Sequence, residues 1–297
     1  MTHDFPQLSA PILWEGGALE AEAVLPTLSA QDRAGVRGFA AGIDGLDPSA
    51  VAAYGAAEQG VMETWLDRAI KTVADHGVAQ DKRGIDRILA ALRGFDRLCG
   101  ARRFLFGHTS FVRLRKEYGR LEPTVEINAG EVLDQKIGLL RVSKELERIE
   151  TQNQAHLTRL STYLLCGQVR LQELRASGTE QLVPFERRLH DIALSRQVAL
   201  QTKAQLMLLL DGNGRLIDTM ERTLRQTLPL WKSQVLVALG ISAQAEQSRR
   251  VQRGHKQERG LLRQSNAGLL EAIAGLQKQM QVTSYELQVT RGKGVQS

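Results

Sequence analysis

Two cysteines, Cys99 and Cys166, and six histidines, at positions 3, 76, 108, 156, 190 and 255, are the residues of this 297-residue chain best suited to redox, nucleophilic or metal chemistry. One possible thiol pair and no CxxC spacing argue against a disulfide scaffold, a zinc site or a dithiol redox centre. The histidines show no HxxxH or HExxH spacing, so hydrolytic metal chemistry has no support. No glycine fingerprint follows a strand, which leaves nicotinamide or flavin reduction without a cofactor cradle. Asp211-Gly212-Asn213-Gly214 mimics a calcium loop, but aligning Gly214 with the loop glycine puts Leu209 and Met220 at ligand positions that require acids. The chain is therefore expected to be non-enzymatic, with no catalytic residue, metal or cofactor.

Contact chemistry is better represented. From Leu216 to Ala243 one apolar stripe, Ile217, Met220, Leu224, Leu228, Trp231, Val235 and Leu239, advances in helical steps of 3, 4, 4, 3, 4 and 4. Pro229 lies inside it. Proline lacks the N–H owed to the carbonyl four residues back and its ring crowds that carbonyl, so the helix is expected to bend near Gln226 to Leu228. Pro229, Trp231 and Lys232 then form either a kinked core helix with an indole filling the bend or a contact site built on it. A second candidate is Cys99 to Leu121, where Phe104, Phe106 and Phe111 interleave with Arg102, Arg103, Arg113, Arg115, Lys116 and Arg120, against Glu117 as the only acid. Apolar rings among cations suit an anionic membrane interface or partner; the alternative is a loop whose rings dock while its arginines stay in water. Arg249, Arg253, Lys256 and Arg263 share a third, basic face, which is a solvated face or a phosphate-binding one.

These candidates need helices to hold them, and the sequence supplies the signals. Charged residues at 24% and aromatics at 5% suit long solvated helices. The net charge of +6 gives mild help toward polyanionic partners. Residues 1–28, with Pro6, Pro11, Pro26, Gly16 and Gly17, read as a disordered arm. Ser29 with Asp32, and Asp47 before Pro48, are helix starts. The second of these helices is expected to bury Val51, Tyr54, Val61, Trp65 and Ile70 and to end at His76-Gly77, although Gly55 and Gly60 weaken it. Ile85, Ile88, Leu89 and Leu92 continue helical spacing. Glu122-Pro123 is read as a break before a long helix from about Asn128 to Arg175, whose apolar members recur every eleven residues, Leu146 with Leu157 and Ile149 with Leu160. Ser177-Gly178 ends it, and Val183-Pro184 opens a helix burying Leu182, Phe185, Leu189 and Ile192. Taken locally, Asp211 to Gly214 is a turn. Leu262, Leu269 and Leu276 with Asn266, Ile273 and Met280 form a heptad seam in which Asn266 sets register, and the chain frays from Val282.

At Leu189 to Leu239 the chain resembles the TelA-like (tellurite, or toxic anion) resistance proteins of bacteria. The resemblance is carried by His190-Asp191-Ile192-Ala193-Leu194-Ser195-Arg196, Ala199-Leu200-Gln201-Thr202, Leu216-Ile217, Thr227-Leu228-Pro229-Leu230-Trp231-Lys232-Ser233-Gln234 and Ala238-Leu239-Gly240. It extends upstream to Leu46-Asp47-Pro48, Ala53-Tyr54-Gly55-Ala56, Phe104-Leu105-Phe106-Gly107 and Leu164-Leu165-Cys166-Gly167-Gln168. Members of the family often carry asparagine-rich, helix-compatible sequence in place of Asp211-Gly-Asn-Gly, so the resemblance implies a continuous helix there, against the local turn signal. The end of this chain is shorter than in typical members. The resemblance implies a mostly helical cytoplasmic protein associated with resistance to tellurite and, in some members, to envelope-directed toxins. It carries over no catalytic or binding residue.

The expected fold is all-α, an elongated bundle of long, coiled-coil-like helices with a smaller helical N-terminal part. Its divisions are an arm over 1–28, a helical region over 29–121 containing the basic aromatic segment 99–121, a long-helix bundle over 122–282 and a flexible tail over 283–297. The expected function is a scaffold contributing to toxic-anion and envelope-stress resistance through an unidentified protein partner or peripheral contact with anionic membrane, with oligomerisation left open. The competing readings are a redox or other enzyme acting on the anion and, less favoured, a nucleic-acid binder. The N-terminus lacks the basic and apolar regions of a signal peptide, and the longest apolar runs, Met207 to Leu210 and Val235 to Ile241, fall far short of the roughly 18 residues a membrane span needs. A cytoplasmic location is expected.

Overall fold

A computed structural model describes residues 5–9, 20–61, 83–100, 107–247 and 251–293. Among them all regular structure is helical and no strand occurs. The helices are α1 (Ala21–Val24), α2 (Ala30–Ala41), α3 (Pro48–Ala53), α4 (Arg83–Gly100), α5 (Gly107–Ala176), α6 (Val183–Arg222), α7 (Leu228–Gln247) and α8 (Val251–Lys293), and residues 56–61 are helical as well. The chain forms two compact units, each discontinuous in sequence: the first takes Met1–Thr72 with Glu145–Leu208, the second Val73–Lys144 with Leu209–Ser297. The sequence divides the chain consecutively, whereas contacts group it by which turns of the long helices share a core. At 70 residues, α5 amounts to about 105 Å of helix, longer than one core can cover.

In the first unit, helix starts follow their caps. Ser29 accepts from the Asp32 N–H at 3.0 Å, and Asp47 accepts from the Ala50 N–H at 2.8 Å with Pro48 in the first turn. Asp32 also takes the backbone N–H and the hydroxyl of Ser9, and these hydrogen bonds hold its carboxyl below the usual range. Residues 5–9 are thereby tied to α2, Val24 of α1 is buried, and Phe5 lies 4.5 Å from the Tyr163 ring. Gly55 adopts φ +68, a left-handed conformation that glycine takes without a Cβ penalty. It ends α3 at a point where the spacing predicts a longer helix. Tyr54 and Val51 are buried as expected, but Val61 is 48% exposed, because the break at Gly55 resets the helical phase. Trp65, Ile70 and His76-Gly77 lie outside the described residues. The core is closed by Leu157, Leu160, Leu164 and Leu165 of α5 and Phe185, Leu189 and Ile192 of α6. Gly178, at φ +74, terminates α5 with the Thr179 N–H on the Leu174 carbonyl.

In the second unit, α8 packs against α4 and α7. The heptad seam is fully used: Leu262, Leu269, Ile273, Leu276 and Met280 are buried with Ile85, Ile88, Leu89 and Leu92. Asn266, 0% exposed, donates to the Leu92 carbonyl at 3.1 Å, a directional bond that suits a polar residue fixing register. Pro123 does not break the chain into separate helices: α5 runs through it. Tyr118, Leu121 and Val125 on either side are buried in one core, and the Thr124 hydroxyl donates to the Arg120 carbonyl at 3.2 Å, so tertiary packing overrides the proline. The Asp211 to Gly214 stretch is likewise helical within α6, as the family resemblance implies and against the local turn signal. Asn213 is buried there and donates to Ser143 Oγ at 3.3 Å. Where the composition suggests fraying from Val282, α8 continues to Lys293.

Candidate functional site

The proline-containing stripe is solved by a change of helix type. Thr223–Thr227 form a π-turn in which the Leu228 N–H donates to the Thr223 carbonyl five residues back. The widened turn ends two residues before Pro229, so the missing proline donor falls where the i→i+4 ladder is already interrupted. Met220, Leu228, Trp231, Val235 and Leu239 are buried on one side, with Ile217 and Leu224 partly buried against them. Trp231 is 1% exposed and its ring lies 5.7 Å from that of Tyr118. Lys232 is ion-paired with Glu126. Pro229 is exposed, and Leu230 is 57% exposed. The residues at the kink thus divide: the indole sits in the core, the lysine pairs within the unit, and Pro229 and Leu230 face outward. Beside them Thr227, Leu230 and Gln234 of one helix and Gln264, Ser265 and Gly268 of α8 border a cleft of about 350 Å³.

Arg102, Arg103, Phe104 and Phe106 of the basic aromatic segment lie outside the described residues. Further along the segment, α5 has begun: Leu114, Tyr118 and Leu121 are buried, and Arg115 donates to the Leu239 carbonyl at 3.3 Å. Of the third basic face, Arg249 is outside the described residues.

The family-like fragments of the first unit, far apart in sequence, converge. Tyr54 donates its hydroxyl to the Tyr163 carbonyl at 2.6 Å, and its own carbonyl accepts from Arg188 Nε at 2.7 Å. Gly167 admits this packing, because a Cβ there would run into Leu189 Cδ2 and stand 3.3 Å from the Tyr54 ring. Gln59 reaches the Ser195 hydroxyl at 2.8 Å. Beside this lies a polar group that the sequence reading missed: Glu58 accepts from Arg159 Nε at 2.8 Å and meets His156 Nδ1 at 3.1 Å. Its one sequence signal is that Asn153 and His156 occupy core steps between Ile149 and Leu160. Both are 0% exposed.

Burial holds the His156 pKa below its ordinary value, outweighing the opposing pull of Glu58. A base depressed on folding favours the native state above the unfolded pKa, about 6.5, and that contribution is lost as pH falls through the folded value. Acidification from pH 7 toward 5 is therefore expected to lower the urea midpoint, and His156→Gln to flatten that dependence. Equal slopes for the two proteins would remove His156 from the account.

Both thiols are buried. Burial pushes Cys99 up to about 12 and Cys166 up to about 12, far from the range in which a thiolate acts as nucleophile or reductant. Cys99 belongs to the second unit and Cys166 to the first. Among the described residues no group of three His, Cys, Asp or Glu is placed to hold a metal ion, and no helix is long and apolar enough to cross a membrane.

What the fold defines is an all-helical architecture, with an interrupted long helix carrying an outward proline and leucine over a buried tryptophan. Residues 176–288 match the family described as toxic anion resistance protein (TelA). It is 26% identical over 133 residues to the uncharacterised protein YaaN of Bacillus subtilis, covering 37% of this chain and 34% of that protein. It is 25% identical over 122 residues to the TelA-like protein SERP0976 of Staphylococcus epidermidis, covering 33% and 32%. With the TelA-like protein SSP1345 of Staphylococcus saprophyticus it shares 36% over 70 residues, covering 23% and 19%. The chain spans between about a third and about half of the length of the first curated relatives it matches, 34%, 47% and 46%. No solved structure gives a significant match.

Proposed function

We propose that the chain is a non-enzymatic helical scaffold that contributes to resistance against tellurite or a related toxic anion. It acts by binding a partner protein at the cytoplasmic face of the inner membrane, with anionic lipid as a secondary contact. The observation that carries this reading is the family match over 176–288, which takes in the π-turn, α7 and most of α8 and so includes the outward Pro229 and Leu230. The high thiol pKa values support a binding role over a thiol-based reductase. Lipid contact is assigned to Arg102, Arg103, Phe104 and Phe106.

The test is enzymatic as well as physical. Purified protein with NADH or NADPH is expected to reduce tellurite no faster than the background of its thiols, and turnover above that background overturns the non-enzymatic reading. Co-sedimentation is expected with anionic but not neutral vesicles, weakened by physiological salt and by Phe104→Ser. Equal recovery with both vesicle types, or with neither, removes the membrane from the proposal and leaves the protein partner.

A further inference from the structure

The outward face of α5 within the second unit carries an apolar strip that none of the described residues covers. Leu133, Ile137 and Leu140 are 47%, 41% and 41% exposed, at steps of 4 and 3, the spacing of a heptad seam. Gly130 bounds the strip at one end and Lys144 at the other. Along one edge stand Asp134 and Arg141, seven residues apart and so on nearly the same side of the helix. Both are exposed, and neither makes a hydrogen bond or ion pair with the described residues. Other charges on the same helix are engaged: Lys136 pairs with Glu221 at 2.8 Å on the opposite edge, and Arg148 with Glu145 at 2.7 Å.

We propose that this strip is the contact surface for a second copy of the chain, packed antiparallel through the same face. The pattern is self-complementary. A two-fold axis near Ile137 brings Leu133 of one copy level with Leu140 of the other and sets Asp134 within reach of Arg141 twice over, once for each copy, as an isologous interface requires. In an antiparallel helix pair this edge of one copy faces the same edge of the other, so the opposite charges at 134 and 141 favour this register, whereas a parallel pair would set the edge against the Lys136 side of its partner and leave Asp134 and Arg141 without each other. Lys136 is tied to Glu221 on the other edge, which leaves the Asp134 and Arg141 edge to select the partner. A short strip gives a concentration-dependent dimer.

Sedimentation equilibrium of the full chain over a wide concentration range is expected to show twice the chain mass at the upper end and dissociation on dilution. Asp134→Arg and Arg141→Asp are each expected to weaken the dimer about tenfold by placing like charges across the interface, and the double swap to restore it. Ile137→Ser is expected to leave far-UV circular dichroism unchanged and the protein monomeric. A wild-type protein that stays monomeric throughout overturns the proposal. So does a dimer that both charge swaps leave unaltered, or one that the double swap fails to restore.

Discussion

Trp231→Ala is expected to lower the unfolding free energy by about 3–5 kcal/mol, the range for deleting a fully buried aromatic side chain. The indole is 1% exposed and packs beside Tyr118 in a core to which α4, α5, α7 and α8 all contribute. Its removal leaves a cavity next to the existing cleft, and the neighbouring π-turn limits how far α7 can shift inward to fill it. Urea denaturation with far-UV detection reads the loss. Hydrogen exchange adds its location: protection is expected to fall in α4, α7 and α8 before it falls around Phe185. A stability change under about 1 kcal/mol would mean that the indole leaves the core in solution, and it would move the tryptophan from packing to recognition.

Phe185→Ala is expected to cost a similar 3–5 kcal/mol, with its effect on the other unit. Phe185 is 0% exposed, lies 5.8 Å from the Tyr54 ring and fills the space left by Gly45. Truncation would loosen the Tyr54, Gly167 and Leu189 contact, so hydrogen exchange should quicken in α2, α3 and the start of α6 while α8 keeps its protection. If both variants lose protection over the same residues, the two units unfold as one and the division is geometric only.

Much of this architecture is readable from local chemistry. Ser29 and Asp47 cap the helices they precede, the stripe from Met220 to Leu239 is buried, and Asn266 takes a buried partner within a heptad seam. In each case the determinant lies within a few residues of its effect. The departures have the opposite character. Pro123 stays inside a helix because Tyr118, Leu121 and Val125 are held by the far side of the core. Gly212 and Gly214 stay helical because residues on both sides of them are packed. Glu58 finds His156 and Arg159 across 98 and 101 positions, a distance at which no periodicity speaks. For the candidate site, spacing marks Pro229, Trp231 and Lys232 together, whereas which of them faces out depends on α8 and Glu126. The exposed seam at Leu133 to Leu140 passed unnoticed because its spacing matches that of buried positions.

The division of the chain into two units bears on how relatives are recognised. The stretch that matches the family, 176–288, draws residues 176–208 from one unit and 209–288 from the other, so it holds neither core complete. Expressed alone, it would lack α4 and α5, and with them the partners of Asn266, Trp231 and Phe185. The part of the chain that identifies its kin is thus a readable signature without being an autonomous folding piece, and inheritance and folding partition the same polypeptide along different lines.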